Sequence, residues 1–300
     1  MKLVTHNERF HYDEILATAI LLMIYPSSQI IRTRDKKEIG TGDIVYDVGG
    51  VYDPSTNRYD HHQHSFSETF SKKYKYKLSS SGLIYKHFHE KFFNCFGIDS
   101  KDALYNDFVV KIYEDFFLGA DCIDNGVDIY GDIKPRTIYE MVDLFNNYEN
   151  LTSEKQYKQF LVALDFVSKD LEMYIRNQID SWWNKFKKLE VLIEKVDDSI
   201  FVSDEYYTCD LILDVEKKCG KDIKFLIYPS EGKYKIRAIN ISKGKYEIKM
   251  PLRQDWRGKS SEELAKICPG GIFVHKSGFI GINETLEGAI NMCKETIKSH

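Results

Sequence analysis

The stretch "KLVTHNERFHYDEILATAILLMIYPSSQIIRTR", residues 2–34, changes its hydrophobic period twice. "KLVTH" (2–6) reads as a strand that ends in polar residues. "DEILATAILLMIY" (13–25) is apolar nearly all round, the pattern of a buried helix, and "QIIRTR" (29–34) is again a β-branched run. A further short run, "DIVYDVG" (43–49), follows. The order strand–helix–strand–strand predicts an α/β fold with a mainly parallel sheet and covering helices. Ligands in such sheets bind beyond the carboxyl ends of the strands, and His6 and Asp47 fall at or near two of those ends. The apolar core of the helix, "ILATAILLMIY" (15–25), is too short to cross a bilayer.

Further along the chain, "KLSSSGLIYKHFHEKFF" (77–93) predicts a helix opened by a serine cap. Helical segments follow to about Asn150, interrupted by "GADCIDNGVDIYGDIKP" (119–135). Between 155 and 195 apolar positions from Leu161 to Leu189 recur every three or four residues, which predicts a long linker helix. Short strands come next: "KFLIYPS" (224–230), "YKIRAINIS" (234–242) and "GIFVHKSGFIGI" (271–282), with a last helix over 284–298. The expected organisation is therefore a first domain over 1–154, a linker helix over 155–195 and a smaller α/β domain over 196–300.

The 300 residues suffice for two cores. A net charge of −4 does not advertise nucleic-acid binding. The charge is unevenly spread: 25 basic against 30 acidic residues up to 195, and 17 against 16 beyond, so the first part suits cations. Six cysteines without a CxxC pair exclude a disulfide framework and a thiolate zinc site. The start "MKLVTHNERFHYDE" is polar by residue 6, so neither a secretory signal nor a mitochondrial presequence is expected, and a cytoplasmic or nuclear location is. The sequons at Asn150, Asn240 and Asn283 then read as chance matches.

Histidine and aspartate collect in four places: His6, His11 and Asp13 in "THNERFHYDE"; Asp47 in "YDVGG"; Asp60, His61 and His62 in "RYDHHQ"; Asp121 and Asp124 in "GADCIDNG". Each alone is more often a cap or a surface residue, and "DNG" is a good turn. Together they supply mixed imidazole and carboxylate ligands, with an aspartate able to bridge, as a two-metal centre needs. An oxygen-rich set with some nitrogen suits Mn²⁺, with Mg²⁺ as the alternative.

"RYDHHQ" resembles the signature of the DHH phosphoesterase superfamily, which includes RecJ-type exonucleases and manganese pyrophosphatases. A closer resemblance is to the melanocyte-proliferating-gene family. It rests on "THNERFHYDE", "IIRTRD", "DIVYDVGGVYD", "RYDHHQ", "LSSSGLIY", "DNG", "PLRQDWRG" and "GIFVHKSGFIG", spread over nearly the whole chain. The resemblance implies a metal-binding catalytic role for the domain over 1–154 and a substrate-binding role for that over 196–300. It implies one metal held by His6 and His11 and another by Asp13 and His61. Asp47 would bridge them, and Asp121, or else Asp124, would complete the second site. Asp60 would orient a histidine, and His62 would face substrate phosphate as hydrogen-bond donor or general acid. A hydroxide activated by the two metals would attack phosphorus. His11 stands where the superfamily's first Asp would be, one residue further from His6, which leaves the ligand set of the first metal open. "PGGIFVHKSGF" stands in for the "GGGH" signature of the usual substrate-binding domain.

Substrate contacts are expected from Arg32 and Arg34, from Arg253 and Arg257 flanking Trp256, and from His275 and Ser277. A strand histidine at a domain edge explains His275 equally well. Ser80 lies in "SSSG" (79–82), whose helix start could receive an anion, although a plain cap explains it too. The expected function is a metal-dependent phosphodiesterase, a 3′–5′ exonuclease acting on single-stranded RNA or short oligonucleotides, with no membrane partner. The alternatives are a hydrolase of small phosphoesters, such as cyclic dinucleotides or pyrophosphate, and a non-catalytic metal-containing scaffold.

Overall fold

The first unit of the computed structural model is built on five strands: β1 (Lys2–Thr5), β2 (Gln29–Arg32), β3 (Ile44–Tyr46), β4 (Tyr52–Asp53) and β5 (Arg58–Tyr59). Their order is β2-β1-β3-β5-β4. All pairings are parallel except that of β4 with β5. Leu3 and Val4, adjacent on β1, are both fully buried, so the sheet is covered on both faces, as parallel sheets require. The described residues are 1–146 and 152–300, so Asn150 of the first sequon lies outside them.

Two expected strands are shorter than their β-branched runs. The run over 43–49 stops at Tyr46 because Asp47 takes a left-handed conformation, φ 57°. Asp is among the few side chains that tolerate it, through its short polar group. Gly49 and Gly50 continue the bend at positive φ, and Gly50 N–H donates to Asp60 Oδ2 at 2.5 Å. β2 stops at Arg32, two residues before the end of its run.

Helix α1 (Tyr12–Ile24) is buried without interruption from Tyr12 to Leu21, and it packs against two later helices, α3 (Ser80–Asn94) and α7 (Ser153–Gln178). Between these lie α2 (Lys36–Gly40), α4 (Tyr105–Ile112), α5 (Leu118–Asp124) and α6 (Ile138–Asp143). A wide π turn, Tyr113–Phe117, joins α4 to α5. The expected interruption over 119–135 therefore starts late: "GADCID" is helical, and the helix ends at Asn125 and Gly126, the latter at φ 72°.

The start of α3 explains both Asp121 and Ser80. Ser79 caps the helix, and Asp121 Oδ1 accepts from Ser79 N (2.8 Å) and Ser79 Oγ (2.7 Å), while Oδ2 accepts from Tyr113 Oη (2.9 Å). Asp121, expected as a metal ligand, is thus a buried anchor that satisfies a helix N-terminus. Burial pushes its carboxyl up to about 7 against the Ser79 hydrogen bonds. Ser80, expected to receive a substrate anion, is fully buried and donates from Oγ to Asp13 Oδ2 at 2.7 Å. The helix start does bind anions, but they are the protein's own carboxylates.

The second unit, Ile179–His300, follows the first, Met1–Gln178. The expected linker over 155–195 is divided between them. α7 buries its apolar stripe in the first unit; a π turn, Ile179–Trp183, and α8 (Asn184–Glu194) open the second. Its sheet comprises β6 (Ile200–Val202), β7 (Phe225–Ser230), β8 (Lys233–Ala238), β9 (Gly271–Val274) and β10 (Ile280–Asn283), in the order β6-β7-β8-β10-β9. Only β6 and β7 are parallel. "GIFVHKSGFIGI" is a hairpin of two strands, turning over His275–Phe279, rather than one run. Helices α9 (Cys209–Cys219), α10 (Ser261–Ala265) and α11 (Leu286–Ser299) complete the unit.

Gly82, in the first turn of α3, has no room for a side chain: a Cβ there would stand 2.2 Å from Asp121 Oδ1. Helix propensity alone favours alanine over glycine by about 1 kcal/mol, but overpacking costs ~1–3 kcal/mol and should win. Gly82→Ala is expected to lower the chemical denaturation midpoint; an unchanged or raised midpoint would show that Asp121 is free to move away.

Candidate metal centre

Because β1, β3 and β5 run parallel, the residues just past their carboxyl ends share one edge of the sheet. These are His6, Asp47, and Asp60 with His61. The chain leaving β1 begins α1 on the same edge, which brings Asp13 and Glu14 into the first helical turn. Asp124 arrives at the end of α5.

Two groups meet there. In the first, His6 Nε2 lies 3.0 Å from Glu14 Oε1 and 3.1 Å from Asp47 Oδ2. The His11 ring is 5.8 Å from that of His6, and His11 N–H donates to Glu14 Oε2 at 2.8 Å. In the second, His61 Nε2 stands 3.1 Å from Asp47 Oδ1, 3.6 Å from Asp124 Oδ2 and 3.8 Å from Asp13 Oδ2. Asp47 therefore turns one oxygen to each group. His62 Nδ1 is paired with Asp60 Oδ1 at 2.7 Å, and its side chain is 61% exposed, so Asp60 orients a histidine that faces open space. An open cleft of about 480 Å³ is lined by His11, His61, His62, Ile123, Asp124, Asn125 and Tyr139.

The electrostatics are those of charges crowded out of water. Burial alone would lower His6, but the Asp47 and Glu14 carboxylates push it up to about 11. His61 likewise rises to about 9, against burial, through Asp47, Asp13 and Asp124. Burial lifts Glu14 to about 7, with His6 opposing, and Asp124 to about 9, with Asp13 adding to the rise. Burial would also raise Asp47, yet His6 and His61 hold it well below the usual carboxylate range. His62 is raised, chiefly by its hydrogen bond to Asp60.

The donor set fits divalent metal ions. Ligand atoms of His6, His11 and Glu14 lie within 4.8 Å of one another, as do those of Asp13, Glu14 and Asp47, of Asp47, His61 and His62, and of Asp13, His61 and Asp124. Asp13 Oδ1 is buried with no hydrogen-bond partner, and Glu14 Oε1 has only the His6 ring nitrogen beside it; an orphaned buried carboxylate oxygen is costly unless a cation meets it. Glu14 escaped sequence reasoning, although its position three residues after His11 is that of a capping box. Of the two aspartates of "GADCIDNG", Asp124 joins the donors and Asp121 does not.

The expected substrate residues fare unevenly. Trp256 is only 3% exposed and belongs to the core of the second unit, so it offers no stacking face. Arg253 is paired with Asp255 (2.7 Å) and Glu295 (3.0 Å) and lies over the Trp256 ring. Arg257 Nε donates to Leu252 O at 2.6 Å and braces the chain. Arg32 donates to Glu8 O (2.8 Å) and sits over Phe10 and Phe160, a packed strut of the loop that carries His6 and His11. Arg34 is exposed, and so are His275 and Ser277 on the β9–β10 turn.

Comparison with known proteins gives consistent matches. The MYG1 exonuclease family model, described as "Uncharacterised protein family (UPF0160)", matches residues 2–297. The chain is 34% identical to the MYG1 exonuclease of Bos taurus, over 98% of this chain and 84% of that protein. It is 33% identical to the MYG1 exonuclease of Homo sapiens, over 98% and 85%. To the MYG1 protein of Schizosaccharomyces pombe it is 34% identical, over 99% and 97%. Among solved structures, RecJ with Mn²⁺ from Thermus thermophilus aligns at 12% identity and a TM-score of 0.27, over 99% of this chain and about half (51%) of that one.

Ligand atoms must lose their protons to bind metal. The metal-free centre holds protons on His6, His61 and Asp124 at neutral pH. Mn²⁺ uptake should therefore release protons, and affinity should climb between about pH 6 and 9. Raised groups stabilise the metal-free fold below their ordinary pKa values, and that contribution is lost as pH rises through about 7 for Glu14 and about 9 for Asp124 and His61. The gain in Tm on adding Mn²⁺ is thus expected to be largest at the alkaline end. Calorimetric titration in two buffers of different ionisation enthalpy measures the release; identical heats in both would contradict it.

Proposed function

This chain belongs to the MYG1 exonuclease family, and from that premise we propose that it is a metal-dependent exonuclease that removes nucleotides from the 3′ end of single-stranded RNA. The observation that carries the reading is the convergence of carboxylates and imidazoles on two groups joined by Asp47, beside an open cleft. Asp13, His61 and Asp124 would hold one ion, and His6 with His11 another, Asp47 being common to both. Divalent ions at such positions supply Lewis-acid charge to a phosphodiester and lower the pKa of water.

The chain's own residues supply the rest. Asp60 accepts from His62 N–H (3.1 Å) and pairs with His62 Nδ1, which fixes the ring and keeps it protonated above its ordinary range. His62 Nε2 is then the proton donor available to a phosphate oxygen or to the leaving 3′ oxygen. Ser80 holds Asp13, and the Gly50 N–H holds Asp60, so neither carboxylate must reorganise when substrate arrives. On the second unit, His275 Nδ1 accepts from Ser277 N–H at 3.1 Å, which leaves Nε2–H to donate to a phosphate. The exposed Arg34 is a further phosphate contact.

The test is cleavage of 5′-labelled single-stranded RNA with and without Mn²⁺. The expected product is a ladder shortening from the 3′ end, dependent on metal. Asp47→Asn, which keeps a side chain tolerant of the left-handed backbone, should abolish it. His62→Asn should slow it by about 10²–10⁴-fold. Immediate release of labelled mononucleotide would reverse the polarity. No cleavage by clean, metal-loaded protein would sink the RNA reading in favour of small phosphoesters.

A further inference from the structure

We infer that Glu14 is a ligand of the first metal, supplying the negative charge that the histidine in the place of the usual first aspartate cannot. The inference rests on the metal-dependent reading above and goes beyond it in the ligand set. His6 Nδ1 lies 2.9 Å from Asn7 O, and because a carbonyl only accepts, Nδ1 must carry the hydrogen. The ligand nitrogen is therefore Nε2. It points at Glu14 Oε1 and Asp47 Oδ2, at 3.0 and 3.1 Å. In the metal-free centre the imidazolium proton joins these three atoms from three different segments; once Nε2 gives it up, three lone pairs face one spot, and a divalent cation there takes the proton's place.

Charge decides between this and a purely structural glutamate. Without Glu14, a divalent ion on His6 and His11 would meet two neutral rings and a share of one bridging carboxylate. An undercompensated charge in a buried site is costly. Glu14 is 0% exposed, and the one group that Oε1 meets is the ligand nitrogen of His6. Its other oxygen is taken by His11 N–H at 2.8 Å, so the carboxylate is held by one oxygen and free to ligate through the other. That same bond fixes the backbone of His11, whose side chain belongs to the same donor group. An outer partner of His6 would instead face Nδ1, the nitrogen turned away from the metal, and Asn7 O holds that place.

Glu14→Gln tests this without dismantling the helix start, because glutamine also accepts the His11 N–H in a capping box. Metal-free wild type and variant are dialysed against Mn²⁺ alone, and bound metal is counted by elemental analysis and by the electron-paramagnetic-resonance signature of neighbouring Mn²⁺ ions. Wild type is expected to bind two ions with a spin-coupled spectrum. The variant is expected to bind one, with an isolated-ion spectrum, at the site of Asp13, His61 and Asp124. Outer partners of metal ligands cost about 10–100-fold in affinity. Two ions in Glu14→Gln with affinity inside that range would overturn the inference and leave the metal-dependent reading standing. Wild type that binds no Mn²⁺ would overturn both. Should Glu14→Gln lose its folded circular-dichroism spectrum, Glu14→Asp is read in the same way: loss of the second ion, or a fall in its affinity beyond about 100-fold, supports ligation, and two ions with a smaller loss overturn it.

Discussion

Five carboxylates and four imidazoles crowd one edge of a parallel sheet, and most of them are out of water. The start of α3, the bend after β3 and the Gly50 N–H all answer to that crowding. Like charges so close cannot all persist in a low-dielectric site without counter-charge. The protein meets the problem partly with its own histidines, held protonated between acids, and partly with carboxyls lifted by burial. One carboxylate oxygen, Asp13 Oδ1, is left with no hydrogen bond. The centre is thus prepared for cations, and the same crowding that destabilises the empty fold at alkaline pH draws divalent ions in.

The N-terminus of α3 acts as an outer layer beneath that centre. Ser79 and Ser80 each hold one acid: Ser79 holds Asp121, which stays away from the donors, and Ser80 holds Asp13, which is one of them. Asp121 approaches so closely that only glycine fits at 82. A short motif, "SSSG", thereby fixes two acids and a close approach at once. Asp47 is fixed differently, by a left-handed backbone that ends β3 and turns one oxygen to each donor group. Asparagine or aspartate alone among larger side chains adopts that conformation readily, and only aspartate supplies the charge.

In the second unit, most residues that looked poised for substrate are structural. Trp256 fills the core, Arg253 is paired with two acids and Arg257 braces a carbonyl. Arginine beside tryptophan has the same composition whether it reads a nucleic acid or packs a loop; the difference is burial, which composition does not carry. The β9–β10 turn remains outward, with His275 flanked by Phe279, ring centroids 4.6 Å apart.

Local pattern was enough to place the buried helix α1, the mainly parallel sheet, the serine cap of α3 and the strand ends near which His6 and Asp47 stand, because each depends on neighbours in the chain; the short strand before His61 came only with the structure. Family resemblance added the expectation of a metal-dependent nuclease. Only the tertiary structure separated Asp124 from Asp121, which lie three residues apart on one helix: the start of α3 takes the one and leaves the other to the cleft. Only it brought Glu14 opposite His6, and only it turned Ser80 and Trp256 inward. Local pattern reports which face of an element is apolar. Which buried acid meets a histidine and which meets a helix N-terminus is decided by contacts between segments up to 67 residues apart, and no local pattern contains them.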